Sequence, residues 1–243
     1  MLTSTPEVRM QTPNNQQQDF SIVSILERSF KILMKNPLVF LGLTLIAIIP
    51  SFLITLLWST SIGASYFASV LQTILILMAG GGIVYGVYQI LRGQPTSIGE
   101  TLTHGLARLL PLFLVALLAG LGIGIGLLLL VVPGVILGCI WAVCVPACVI
   151  EKLNPIESLK RSMELTSGYR VTIFILILIV SLASFLILLL LGLLFFFSPF
   201  LVAIFGACVA IILNAYQYVM LSIVYFDLRK MKEGVTLDRI TFD

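Results

Sequence analysis

The sequence predicts an all-α integral membrane fold: six transmembrane helices paired as three hairpins, each preceded by a cytoplasmic amphipathic helix. Three observations carry this prediction. Residues 36–91, 109–150 and 171–226 contain no charged side chain. The chain is 59% hydrophobic and 10% charged, with a mean hydropathy of +1.13, whereas a soluble domain carries about 25% charged residues. A stretch with apolar residues at helical spacing precedes each uncharged run.

Taken in order, residues 1–18 are polar and lack apolar periodicity, so they read as a disordered cytoplasmic N-terminus. No charged n-region with a short apolar core precedes residue 19, and no cleaved signal peptide is expected. From Asp19 to Lys35, Ile22, Val23, Leu26, Phe30, Leu33 and Met34 recur at helical spacing, largely opposite Glu27, Arg28, Lys31 and Lys35. The 56-residue run 36–91 exceeds twice the about 20 residues that cross a hydrocarbon core, so it holds two spans, near 38–58 and 67–91. Their turn is expected at Ser59 to Ser65, flanked by Trp58, Tyr66 and Phe67 at headgroup level. Pro50 and the Gly80-Gly81-Gly82 triplet fall inside these spans, where they are expected to kink or thin the helices.

Ser97 and Glu100 fit a capping box that opens a second amphipathic helix, with Ile98, Leu102, Leu106 and Leu109 forming a stripe toward the bilayer surface. The 42 residues of 109–150 accommodate two spans with a tight connection at Val131-Val132-Pro133-Gly134, or a re-entrant pair. Gly120, Gly122, Gly124 and Gly126 give two overlapping GxxxG spacings, which suit close packing within the monomer, with self-association as the alternative. Residues 151–170 carry the third amphipathic helix. Run 171–226 then holds two more spans, near 171–197 and 200–226, turning at Ser198-Pro199, and a polar tail follows. The membrane domain is thus 19–234, in units 19–91, 92–150 and 151–234, with 235–243 as a cytoplasmic tail.

Aligning Ser21, Ser97 and Asn154 brings Ser24, Glu100 and Glu157 into register, then Leu26, Leu102 and Leu159, then Arg28, His104 and Arg161, then Ser29, Gly105 and Ser162. The three units therefore read as a pseudo-threefold internal repeat. An even number of crossings per unit places all three amphipathic helices and both termini on one face. All 14 Lys and Arg residues fall in 1–35, 92–108, 151–170 and 227–243, so the positive-inside rule makes that face cytoplasmic.

The spans carry no ionisable residue of the kind that marks a proton or ion path. Their polar exceptions are Gln72, Gln89, Asn214 and Gln217, with Tyr85, Tyr88, Tyr216 and Tyr218 nearby. These are expected to bond between helices; Gln72, Gln89, Asn214, Gln217 and Tyr218 are the candidates for lining a ligand cavity. On the collar, Glu157 with Arg161 and Lys160 with Glu164 are expected to pair at i,i+4, and Glu151 with Lys152 at the membrane edge. Arg28, Lys31, Arg108, Lys152, Lys160, Arg161 and Arg170 are the candidates for contacting anionic headgroups. Cys139, Cys144, Cys148 and Cys208 sit in apolar runs without CxxC spacing and read as packing residues; no metal or other cofactor is expected. A net charge of +3 without a basic cluster excludes nucleic acid as a partner, and no HExxH, GxSxG or Walker loop is present.

Pro133-Gly134-Val135, Pro146, Glu151, Pro155, Ser158-Leu159, Arg161-Ser162, Leu165 and Gly168, with the closing Tyr225-Phe226-Asp227-Leu228-Arg229 and Glu233-Gly234, resemble the membrane domain of glycerophosphoryl diester phosphodiesterases and related six-span bacterial proteins. In enzymes of that family catalysis belongs to a separate soluble domain. The resemblance therefore implies a bacterial inner-membrane architecture and no phosphodiesterase activity. The expectation is a non-catalytic, membrane-organising scaffold whose collar binds lipid headgroups or a membrane or cytoplasmic protein partner, with homo-oligomers allowed. The alternative is a transporter or channel for a lipid or other small molecule.

Overall fold

The computed structural model of the protein describes residues 20–57, 62–193 and 199–234. The expected disordered segment 1–18, the first part of the turn at 58–61, the connection at 194–198 and the tail 235–243 lie outside the described residues. Among the described residues there are ten helices and no strand: α1 (Ile22–Lys35), α2 (Pro37–Leu57), α3 (Ile62–Leu91), α4 (Ile98–Ala107), α5 (Leu109–Leu129), α6 (Val131–Ile140), α7 (Cys144–Ile150), α8 (Pro155–Thr166), α9 (Arg170–Leu193) and α10 (Pro199–Glu233). Six segments are long and apolar enough to cross a membrane: Pro37–Ile54, Ile62–Leu91, Leu109–Leu129, Val131–Ile150, Arg170–Leu193 and Ile204–Glu233.

The three short polar helices begin as their sequences dictate. Ser21 Oγ accepts from the Ser24 amide and Ser97 Oγ from the Glu100 amide, both at 3.2 Å. At Asn154, Pro155 occupies the first helical position and the Glu157 carboxylate accepts from the Asn154 amide at 3.2 Å. Glu100 departs from the expected reciprocal cap, because its carboxylate turns to Tyr85. Each helix presses small residues inward: Ser29, Gly105 and Ser162 are all buried, whereas Phe30, Leu106 and Met163, one position on, are exposed.

Small residues also decide how closely the helices approach. A Cβ on Gly105 would lie 2.2 Å from the Met78 carbonyl oxygen, and one on Gly82 would lie 2.6 Å from the Thr101 carbonyl. The glycine triplet therefore joins α3 to α4 backbone to backbone, and α3 runs through it unbroken. Helix α2 likewise continues through Pro50.

Two turn positions differ from expectation. Ile62 to Ser65 already belong to α3. Pro133-Gly134 lies within the first turn of α6, and only Leu130 separates α5 from α6. A proline there costs no hydrogen bond, since the first amides of a helix have no intrahelical partner. A separate break interrupts the second of these spans, Val131–Ile150, at Trp141 to Val143, because Pro146 cannot donate to the carbonyl four residues back and its ring crowds that turn. The Ile140 carbonyl freed by the break accepts from Ser162 Oγ at 2.8 Å and Thr166 Oγ1 at 3.1 Å. Hydroxyls of α8 thus satisfy the backbone of the interrupted span, as an apolar surrounding requires.

The core is gathered around α3 and α10. Leu77 through Ile90 form a continuous buried stretch, packed with Phe40, Leu43, Leu112, Val149, Met220 and Tyr225. Helix α9 is held loosely by contrast, with only Ile173, Leu176 and Val180 buried and Leu182, Phe185 and Leu186 facing outward.

Candidate functional site

Two arrangements stand out, a polar clamp and an uncharged groove. The clamp starts at Glu151, where the chain leaves α7. Its carboxylate accepts from Arg161 Nε at 2.9 Å on both oxygens and from the Tyr225 hydroxyl at 2.6 Å. Arg161 also grips Glu233, which accepts from Arg229 Nε at 2.9 Å, and Arg229 returns to the Tyr225 hydroxyl at 3.2 Å. Burial works against the Arg161 charge, but hydrogen bonds to Glu151 and Glu233 outweigh it and hold the guanidinium above its ordinary pKa. Nearby on α10, Asp227 takes a bidentate grip from Arg28 of α1, one arm at 3.0 Å. Glu151 and Arg161 thus meet Tyr225, Arg229 and Glu233 in one network.

This placement reassigns several headgroup candidates. Arg28 and Arg161 are engaged within the chain. Lys31 pairs with Glu27 at 2.6 Å, which holds that carboxyl below its ordinary pKa. Arg108 donates to the Lys152 carbonyl at 3.4 Å, and Lys152 itself adopts a left-handed φ of 52° in the turn before α8. Departing from the expected i,i+4 pairs, Glu157 turns to its cap, Glu151 accepts from Arg161, and Glu164 lies 3.9 Å from Arg161. Lys160 and Arg170 are exposed and make no ion pair among the described residues.

The groove lies between α5, α6, α9 and α10, with a volume of about 630 Å³, inside the about 300–1,000 Å³ range of small-molecule sites. Small residues make up much of its lining: Ala116, Ala119, Gly120, Gly134, Gly138 and Ala142. Small side chains on facing helices leave space that no neighbour fills. Gly120, Phe174, Leu178, Ser181 and Gln217 on its rim are exposed, so it opens on the outer surface of the bundle.

Of the cavity candidates, Asn214, Gln217 and Tyr218 line this groove. Asn214 Nδ2 donates to the Ala210 carbonyl at 2.7 Å, while the side chains of Gln217 and Tyr218 have no hydrogen-bond partner among the described residues. The Tyr218 ring also packs against Gly80. Gln89 lies elsewhere, donating to the Tyr85 hydroxyl at 2.7 Å and to Glu100 at 3.3 Å, beside the His104 ring stacked on Tyr85 at 3.8 Å. Gln72 is not among the groove residues either. Both belong to α3, whose later turns the core encloses.

The glycine ladder divides in the same way. Gly122 receives the Trp141 ring and Gly126 meets the Gly134 backbone, so these two pack α5 on α6 within the monomer. Gly120 and Gly124 have open space where a side chain would be. Trp141, Phe174 and Gly138 were not singled out by sequence; the available signal was small residues recurring on both 116–126 and 134–142, which reads equally as packing or as unfilled volume. Cys139, Cys144 and Cys148 are buried free thiols. Among the described residues no group of His, Cys, Asp or Glu is placed to hold a metal ion.

Six membrane-length helices, a polar clamp and a side groove define a multi-pass helical class of protein. No known protein family, curated protein or solved structure matches the chain.

Proposed function

We propose that the chain is a non-catalytic bacterial inner-membrane protein that takes an amphiphilic small molecule or lipid sideways from the bilayer into the groove between α5, α6, α9 and α10. In this reading the six spans form three hairpins with a helix collar and both termini in the cytoplasm. The collar repeat is supported by the shared burial of Ser29, Gly105 and Ser162, and the orientation by the distribution of Lys and Arg. The observation that carries the functional reading is the groove itself: apolar, open on the outer surface, and furnished with unpartnered amide and hydroxyl groups. Such groups are costly in an apolar surrounding without a partner, and a ligand supplies one.

Gly120 and Gly138 provide the test, because side chains added there meet open space and enter the groove without striking backbone. The Gly120→Leu/Gly138→Leu variant should keep its thermal stability in detergent and lose co-purifying amphiphile by about tenfold, equivalent to about 1.4 kcal/mol. Unchanged amphiphile content by native mass spectrometry would refute the groove reading.

A second reading, a membrane-organising scaffold, is favoured by the outward apolar residues Phe30, Leu106 and Met163 on the three polar helices. They fit a collar lying on the bilayer surface or on a protein partner. With Trp58→Phe and Trp141→Phe as background, the fluorescence of the Leu106→Trp variant should then be quenched by brominated lipid. An unquenched signal in bilayers would count against a lipid-bound collar.

A further inference from the structure

We infer that the ligand is an anionic lipid, its acyl chain in the groove and its charged head on Arg170; the inference rests on the groove reading above. Phe174 and Leu178 line the groove on α9, and Arg170 lies four residues before Phe174, on the same helix face and about 6 Å along the axis. The groove stripe of α9 therefore ends on a cation.

That cation is exposed and makes no ion pair or hydrogen bond among the described residues, unlike Arg28 and Arg161. It also stands at the first position of α9, where the unpaired amides of a helix start already present positive charge. A cation is disfavoured there on its own. An anion shared between the guanidinium and the helix start relieves that repulsion. Among the described residues no charged side chain lines the groove, which suits an uncharged acyl portion. Gln217 and Tyr218 offer donors and acceptors suited to the ester or hydroxyl groups that join a lipid head to its chain.

The experiment uses the full chain in uncharged detergent, with oleoyl lysophosphatidate and oleoyl monoglyceride as probes that share one acyl chain and differ in charge. Native mass spectrometry should show the phosphate-bearing probe retained about fivefold better, the scale expected of one basic side chain near a membrane surface. Arg170→Gln should bring the two probes to parity while both still bind, and Gly138→Leu should weaken both. Excess inorganic phosphate should fail to displace the lipid.

Equal retention by the unaltered protein, a preference that survives Arg170→Gln, or displacement by inorganic phosphate would overturn the anionic-lipid assignment and leave the groove reading standing. Failure of the unaltered protein to retain either probe, or retention untouched by Gly138→Leu, would remove both. Cross-linking of Phe174→Cys to a second copy in place of lipid would likewise overturn the assignment. Arg170 is exposed and its side chain makes no ion pair or hydrogen bond among the described residues, so loss of folding in Arg170→Gln would itself contradict the placement argued here.

Discussion

Replacing Arg161 with methionine is expected to cost about 2–3 kcal/mol, somewhat below the about 3–5 kcal/mol of a fully buried pair because the clamp keeps partial contact with water. The side chains of Arg161 and Glu151 are 20% and 15% exposed, and removing the guanidinium leaves two carboxylates, Glu151 and Glu233, to share Arg229 alone, which lies 3.9 Å from Glu151 and 2.9 Å from Glu233. The readout is the apparent melting temperature in detergent, which for a chain of this size moves by about 2–4 °C per kcal/mol. Arg161→Lys should recover only part of the loss, since an ammonium cannot present a planar fork to two carboxylates. Adding Glu151→Gln to Arg161→Met should return stability relative to the single variant, because the stranded charge is gone. A melting temperature unmoved by Arg161→Met would show that the clamp does not hold α8 to α10.

Gly105→Ala is expected to be as severe, about 3 kcal/mol or the loss of the folded protein, at the upper end of overpacking effects. The added methyl would lie 2.2 Å from the Met78 carbonyl oxygen and 2.9 Å from the Gly82 nitrogen, both backbone atoms that cannot swing aside. Helix α4 would have to leave α3, taking Glu100 from Tyr85 and Gln89 and unstacking His104. Gly99, on the same helix with open space around it, is the control: Gly99→Ala should stabilise by about 0.4–1 kcal/mol through the unfolded chain. Equal responses at 99 and 105 would mean that α4 does not approach α3 as described.

Much of the helical layout was readable because it rests on local chemistry. The uncharged runs mark the membrane-length helices, and Ser21, Ser97 and Pro155 mark where the polar helices begin. The break at Trp141 was harder to read. A proline disrupts the turn before it, so Pro146 was the operative residue while Pro133 sat harmlessly in a first turn. Collar charges were misread for a related reason. Spacing on one helix suggested Glu157 for Arg161, but Glu151 and Glu233, 10 and 72 residues away, provide better geometry.

What the sequence alone determined is an all-helical chain whose apolar runs supply six membrane-length helices, since hydrophobic length and backbone satisfaction admit little else. Only the tertiary structure decided which polar groups are spent within the chain and which remain available. Arg161 is held between two carboxylates from distant segments and Arg28 is paired with Asp227 of α10, whereas the side chains of Gln217 and Tyr218 line a groove that small residues on α5 and α6 leave unfilled. That division depends on the meeting of segments far apart in the chain, and periodicity along one helix carries no record of its neighbours.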